Sequence, residues 1–328
     1  MKALVTGGTG FIGCNIVRAL IEEGIQVRVL MRRESSALNI EDTGVEKAWG
    51  DVRDTEAVRD AVGGCDAVFH TAALYRFWAP KPNIFYDINV QGTKNVLEAA
   101  LSEGVSRLVY TSTVGTIGVP RHDRPSTEED YPRQEELYGH YKRSKFQAEA
   151  EAVRLYERGL PVVIVNPTAP VGRGDVKPTP TGRIILDFLK GRMPAYLNTG
   201  LNLVDVEDVA KAHVLAMKKG QAGQRYILGN RNMTLKETLD ILAEITKKQA
   251  PRVRIPFWLA LGAGYGDYLI EGGVMGREPF IPLEGVKIAR HPMYVDCSKA
   301  VRELGMPQTP VHEALEKAVE WFQEKGYA

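Results

Sequence analysis

At 328 residues the chain exceeds one ordinary compact domain and suits a large α/β unit or two closely joined lobes. Its 42 basic and 41 acidic side chains nearly cancel, so no long-range field selects nucleic acid or an anionic surface, and any charge selectivity must be local. Cys14, Cys65 and Cys297 are widely spaced and form no paired motif, which argues against a disulfide scaffold and fits a reduced, cytoplasmic setting.

The opening MKALVTGG has no charged leader or apolar signal core, and is expected to begin the mature chain. In chain order, KALVTG reads as a strand, 11–23 as a helix, QVRVLMR as a strand and 46–50 as a short strand; 54–62 follows as a helix and AVFHTAA as a strand. A helix at 89–103, the strand SRLVYTST, a long helix at 136–158 and the strand PVVIVNP continue the series. Strands alternating with amphipathic stretches predict a parallel sheet with crossover helices.

After Pro167 the texture changes. Pro170, Gly172, Gly174, Pro178, Pro180 and Gly182 crowd into a loop-rich passage before a helix at 183–190, as expected of a substrate-facing insertion. LNLVDVEDVAKAHVLAMKK and QRYILG then resume the strand and helix rhythm and are expected to return to the main sheet. The organisation predicted is a dinucleotide-binding domain at 1–168, its sheet completed by 201–229, with an interleaved substrate lobe from 169–200 and 230–328. The apolar stretch 257–270, interrupted by Gly262, Gly264, Gly266 and Asp267, is shorter than a bilayer span; it reads as a lobe helix or an interfacial patch, and no integral membrane span is expected.

Gly7-Gly8-Thr9-Gly10-Phe11-Ile12-Gly13 follows a strand and opens a helix. Missing Cβ atoms let such a loop turn tightly and approach a pyrophosphate, while helix-end N–H groups face the anion. The fold expected is therefore a doubly wound Rossmann α/β sheet. A carboxylate belongs about 20 residues on, to accept the ribose 2′-hydroxyl. Met31-Arg32-Arg33 stands there instead. A guanidinium at Arg32 suits a 2′-phosphate, so NADP(H) is preferred and NAD(H) remains possible; alternatively both arginines are surface charge. Asp51 either accepts from the adenine amino group or caps the next turn.

Hydride transfer at a carbinol carbon needs a partner for the hydroxyl proton, and an unperturbed Tyr near about 10 is too weak without help. Tyr141 and Lys145 lie one turn apart on the predicted helix, where an ammonium would favour phenolate and also reach the nicotinamide ribose. Tyr138 and Lys142 share that spacing, which cannot choose between the pairs. Upstream, Tyr110-Thr111-Ser112-Thr113 offers hydroxyls either to the substrate oxygen or to a turn.

Together these residues resemble the extended short-chain dehydrogenase/reductase family, over nearly the whole chain. TGGTGFIG looks like its phosphate loop, GDVRD (Asp51, Val52) its adenine contact, FHTAA (Thr71, Ala72, Ala73) its fourth-strand loop, NVQGTKNVLEAA its following helix and YTSTVGTIG its hydroxyl strand. YKRSKFQAE is similar to its Tyr-x-x-Ser-Lys…Glu helix, a register that selects Tyr141 and Lys145. The resemblance implies that Thr113 takes the catalytic serine's place with Ser112 beside it, that Asn89 bends a helix near the site, and that Asn166-Pro167-Thr168 covers the nicotinamide. DVEDVAKAHVLA matches the return to the main sheet. A homodimer through the helices at 89–103 and 136–158 is also implied. Within the family, the stretch from Asn166 to Ala210 looks like the hopanoid-associated sugar epimerases, near dihydroflavonol reductases and 3β-hydroxysteroid dehydrogenases.

Three functions follow: a net reductase or dehydrogenase acting on a small-molecule ketone or carbinol; a nucleotide-sugar epimerase or dehydratase with tightly held NAD; and a dinucleotide-sensing regulator without turnover. Relatives of the last kind lose the Tyr and Lys, and both are present. Leu74, Tyr75, Phe77 and Trp78 are either an apolar substrate wall or lobe packing, with Val114, Asn166 and Arg183 as further substrate candidates. His70 and His140 have no second pair of ligands at metal-site spacing, and Cys14 reads as a small buried residue.

Overall fold

The computed structural model describes residues 1–119 and 124–328. The strands are β1 (Lys2–Thr6), β2 (Gln26–Met31), β3 (Glu46–Trp49), β4 (Ala67–His70), β5 (Arg107–Thr111), β6 (Val162–Pro167), β7 (Ala169–Val171), β8 (Ala195–Leu197), β9 (Gly200–Asp205), β10 (Arg225–Leu228), β11 (Arg231–Thr234) and β12 (Val253–Ile255). A seven-stranded sheet runs β10-β6-β5-β4-β1-β2-β3, with every pairing parallel.

Its helices are α1 (Phe11–Glu22), α2 (Thr55–Val62), α3 (Asn83–Tyr86), α4 (Gly92–Ser102), α5 (Gly139–Glu157), α6 (Pro180–Leu189), α7 (Val206–Lys219), α8 (Leu235–Thr246), α9 (Phe257–Asp267), α10 (Leu283–Ile288) and α11 (Val311–Glu324). Both sheet faces are covered. In β6, Val163 and Val165 pack with α1 and α7, whereas Val162 and Ile164 pack with α2, α4 and α5. This period of two explains a run that is apolar from Val162 to Val165: each face is a core.

Several elements depart from the sequence reading. The helix expected at 89–103 begins six residues earlier, at Asn83, and carries a π-helical stretch, Asp87–Gln91, before α4. Residues 136–138 lie outside α5, because Glu136 closes a 3-10 turn onto Arg133 and Tyr138 is extended, so α5 begins at Gly139. α6 begins at Pro180, where a fixed φ suits the first helical position and the Thr179 hydroxyl accepts from Gly182 N–H.

The strand expected to rejoin the main sheet at 201–205 does not. β9 pairs parallel with β7 and antiparallel with β11 in a separate three-stranded sheet, and of the 201–229 portion only β10 joins the large sheet, beside β6. Against that small sheet α6, α8 and α11 bury a further core that includes Ile185, Phe188, Leu239, Leu242, Leu315 and Phe322. Among the described residues, no helix is long and apolar enough to cross a membrane.

Candidate active site

The loops that leave the carboxyl ends of β1, β4, β5 and β6 converge on one crevice, the place where an open parallel sheet reverses its winding and binds ligands. The turn after β1 is made by glycine. Gly7 holds φ 71°, Gly10 N–H donates to Gly7 O at 2.9 Å, and a methyl on Gly13 would overlap the Gly7 carbonyl, a backbone atom that cannot yield. A methyl on Gly7 would stand 2.8 Å from Ala72 Cα. α1 has no side-chain cap and no acidic residue in its first turn. The partly exposed Thr9, Phe11 and Ile12 and the exposed Gly10 flank this opening. Its donors and its positive helix end therefore fit a pyrophosphate.

Farther along the sheet edge, Arg32 is exposed, with Glu34 at 3.4 Å as its ion-pair neighbour. Asp51 takes the turn-capping role: its Oδ1 accepts from Arg53 N–H and Nε, both at 2.9 Å, and its Oδ2 from Nη2 at 3.0 Å. The Arg53 guanidinium holds the Asp51 carboxyl below its usual range. An adenine amino group would compete with that pair. Val52 is buried against Gly92, and its carbonyl accepts from Asn95 Nδ2 at 3.0 Å.

The loop after β4 is pinned from beneath. Thr71 Oγ1 donates to Thr6 O at 2.6 Å, and Ala72 N–H to Thr6 Oγ1 at 3.3 Å, which leaves Ala73 exposed at the rim. Thr93 gives its one proton to Asn89 O, so it accepts from His70 Nε2–H; His70 Nδ1 then accepts from Thr6. Burial pushes His70 down to about 3, and it stays neutral. Asn89, fully buried in the π-helical stretch, accepts from Leu74 N–H at 2.7 Å and donates to Ser144 Oγ at 2.9 Å. It ties the loop to α5 from within the fold.

α5 brings Tyr141 and Lys145 into the crevice. Tyr138, outside the helix, shares no face with Lys142, which removes the competing pair. Burial pushes the Tyr141 phenol up to about 12, opposed by a hydrogen bond with Thr113. Lys145 is fully enclosed, and burial pulls it down to about 7. Its ammonium does not serve the phenol as expected: Nζ donates to Tyr110 Oη at 2.9 Å and to Thr111 O at 2.8 Å. Tyr110, whose hydroxyl was expected to meet the substrate oxygen or a turn, is fully buried and accepts from Lys145.

Thr113 and Ser112 separate. Consecutive residues at an extended strand end point to opposite sides. Ser112 Oγ donates to Glu149, which also accepts from Thr116 Oγ1 at 2.7 Å and Asn166 Nδ2 at 3.1 Å and faces Arg225 Nε at 3.1 Å. Ser112 and Asn166 are therefore corrected from site contacts to members of a buried network beneath Thr113. Thr168 is committed to Leu228 O, and Pro167 is buried at the end of β6.

Of the aromatic wall, Tyr75 alone meets the phenol, with ring centroids 4.9 Å apart. Phe77 abuts Gly285 and Trp78 abuts Gly272, so both pack against the C-terminal elements. Leu74 is half-buried, and Val114 packs against the cluster of Ile117 and Ile227. Arg183, half-exposed, lies 3.6 Å from Glu278. One partner had no signal in the sequence: Glu284 on α10 accepts from His140 N–H, and a methyl on Gly139 would overlap its carboxylate. A distant residue thus caps a helix that has no side-chain cap of its own.

The chain matches the NAD dependent epimerase/dehydratase family over residues 3–229. It is 45% identical over 327 residues to a putative dihydroflavonol 4-reductase of Synechocystis sp., covering 98% of this chain and 95% of that one. It is 36% identical to sterol demethylase protein B of Methylococcus capsulatus, covering 99% of each. The crystal structure of gox2253 superposes with a TM-score of 0.89 at 38% identity over 99% of both chains. With the glycine cradle and the Tyr141–Lys145 helix in place, the chain belongs to the NAD dependent epimerase/dehydratase family of extended short-chain dehydrogenases/reductases and is an NAD(P)-dependent enzyme.

Proposed function

We propose that the protein reduces a ketone on an apolar small molecule, or oxidises the matching carbinol, with NADP(H). The observation that carries this reading is Tyr141: its phenol is kept protonated by burial, meets the Thr113 hydroxyl and lies against the Tyr75 ring. The dinucleotide, when bound, supplies or receives the hydride. Tyr141 gives its proton to the forming alkoxide, Thr113 orients that oxygen, and Lys145 beneath them has one N–H beyond those given to Tyr110 and Thr111 to offer the ribose. Tyr75 supplies an apolar face that water cannot replace.

Arg32, and the absence of a carboxylate at that position, support NADP(H) over NAD(H). Three buried free thiols support a cytoplasmic setting. Exposed Val153 and Tyr156 on α5 support a homodimer through α4 and α5, which light scattering at a monomer mass would remove. The second reading, epimerisation on a retained cofactor, is favoured by the family's namesake chemistry. Incubation with NADPH or NADH and aromatic or alicyclic ketones separates the two. Continuous oxidation, faster with NADPH and at least about 100-fold slower in Tyr141→Phe, is the expected result; isomerisation without net cofactor turnover overturns it.

A further inference from the structure

We propose that the face formed by 257–281 docks on a bilayer surface containing anionic phospholipid. The claim stands apart from the reaction assigned above. Nearly half of the exposed large apolar side chains among the described residues fall in this one segment. Trp258 is 72% exposed, Leu269 64%, Val274 84% and Phe280 85%, with Leu259 and Ile270 beside them. α9 carries no charged side chain before Asp267, so it lacks the polar face that a solvent-facing helix ordinarily shows. Eleven residues are far too few to span a bilayer, but suffice to lie within its interface, where Trp and Tyr rings are favoured.

Charge identifies the occupant. Of the carboxylates around this face, Asp267 accepts from Ile281 N–H, Glu278 lies near Arg183 and Glu284 caps α5, while Glu271 has no ion-pair partner among the described residues. Arg254 and Arg290 are exposed, have no ion-pair partner among the described residues, and line one hollow of about 320 Å³ with Phe257 at the start of α9. Arg277 is likewise exposed within the segment. An apolar helix whose first turn adjoins a polar hollow holding two free guanidinium groups matches a lipid with its phosphate in the hollow and its chains along α9. The same segment touches Trp78 through Gly272, so docking sets the membrane beside the loop that carries Tyr75.

The test is flotation of the full chain with phosphatidylcholine vesicles, with and without phosphatidylglycerol, together with tryptophan emission compared between wild type and Trp258→Phe. Wild type should float with the anionic vesicles, release with added salt and shift its emission to the blue. Leu269→Ser with Phe280→Ser, and separately Arg254→Glu with Arg290→Glu, should each lower partitioning at least about tenfold. All substituted side chains are exposed, and an unchanged thermal midpoint confirms folding. Wild type remaining with the soluble fraction on both vesicle types overturns the proposal. So does either pair of substitutions floating as wild type does, or the serine pair turning a dimer into a monomer, which would assign the face to a second copy.

Discussion

Lys145 should make the protein less stable in acid than it would be without that cation. Its ammonium is fully enclosed and titrates at about 7 instead of 10.5, because burial penalises charge more than two hydrogen bonds and Glu149 restore it. The folded pKa is depressed, so the unfolded chain binds the extra proton between the two values; this contribution to stability is present above 10.5 and is lost as pH falls through about 7. Lys145→Met removes the titration. The substitution also leaves Tyr110 Oη and Thr111 O without a donor, but that cost is the same at every pH and cancels when the pH dependences are compared. At about 1.36 kcal/mol per pKa unit, wild type should gain about 2–3 kcal/mol on Lys145→Met between about pH 6 and pH 9. Urea unfolding of both proteins across that range measures it. Parallel curves, or a variant that gains on wild type as pH rises, would refute the assignment of Lys145 as a cation held at a cost. A fold that keeps such a group does so at a functional site far more readily than in a core.

Two further substitutions probe the scaffold. Arg225→Met leaves the Glu149 carboxylate buried and unpaired, and should cost about 3–5 kcal/mol by urea denaturation, partly recovered by adding Glu149→Gln; a loss below about 1 kcal/mol would show the pair to be dispensable. Glu284→Ala removes the cap on α5 and should cost about 0.5–2 kcal/mol. Burial raises the Glu284 carboxyl from 4.5 to about 7, so its contribution is fully present below 4.5 and is lost as pH rises through about 7; Glu284→Gln should therefore gain on wild type across that window in thermal melts, and a gain towards acid would contradict the burial.

The sequence exposed what rests on local pattern. Apolar runs, glycine spacing and helix period located the parallel strands, the phosphate loop and the Tyr141–Lys145 helix, because each is a property of neighbours. β9 misled, since a strand followed by an amphipathic helix looks alike whether it enters the main sheet or pairs with β7 and β11. Spacing does not separate Ser112 from Thr113, a choice that only the family resemblance made, because adjacency does not reveal which hydroxyl faces the crevice. Asp51 showed its carboxylate but not that Arg53, two residues on, would occupy it. The Glu149–Arg225 pair and the Glu284 cap join residues remote along the chain, and no spacing rule reaches them.

The placement of β10 has a consequence for synthesis. β6 is buried along its whole length, yet the strand that shields its outer side lies beyond β7, α6, β8, β9 and α7. A ribosome that has delivered residues 1–168 has made every other member of the large sheet, and the nascent fragment ends on VVIVNP with a row of unpaired amides and carbonyls facing outward. Such a truncation is a template for edge-to-edge aggregation. The amino-terminal half of the chain therefore cannot be harvested by cutting after Thr168; a fragment with its sheet edge covered must extend at least through Leu228.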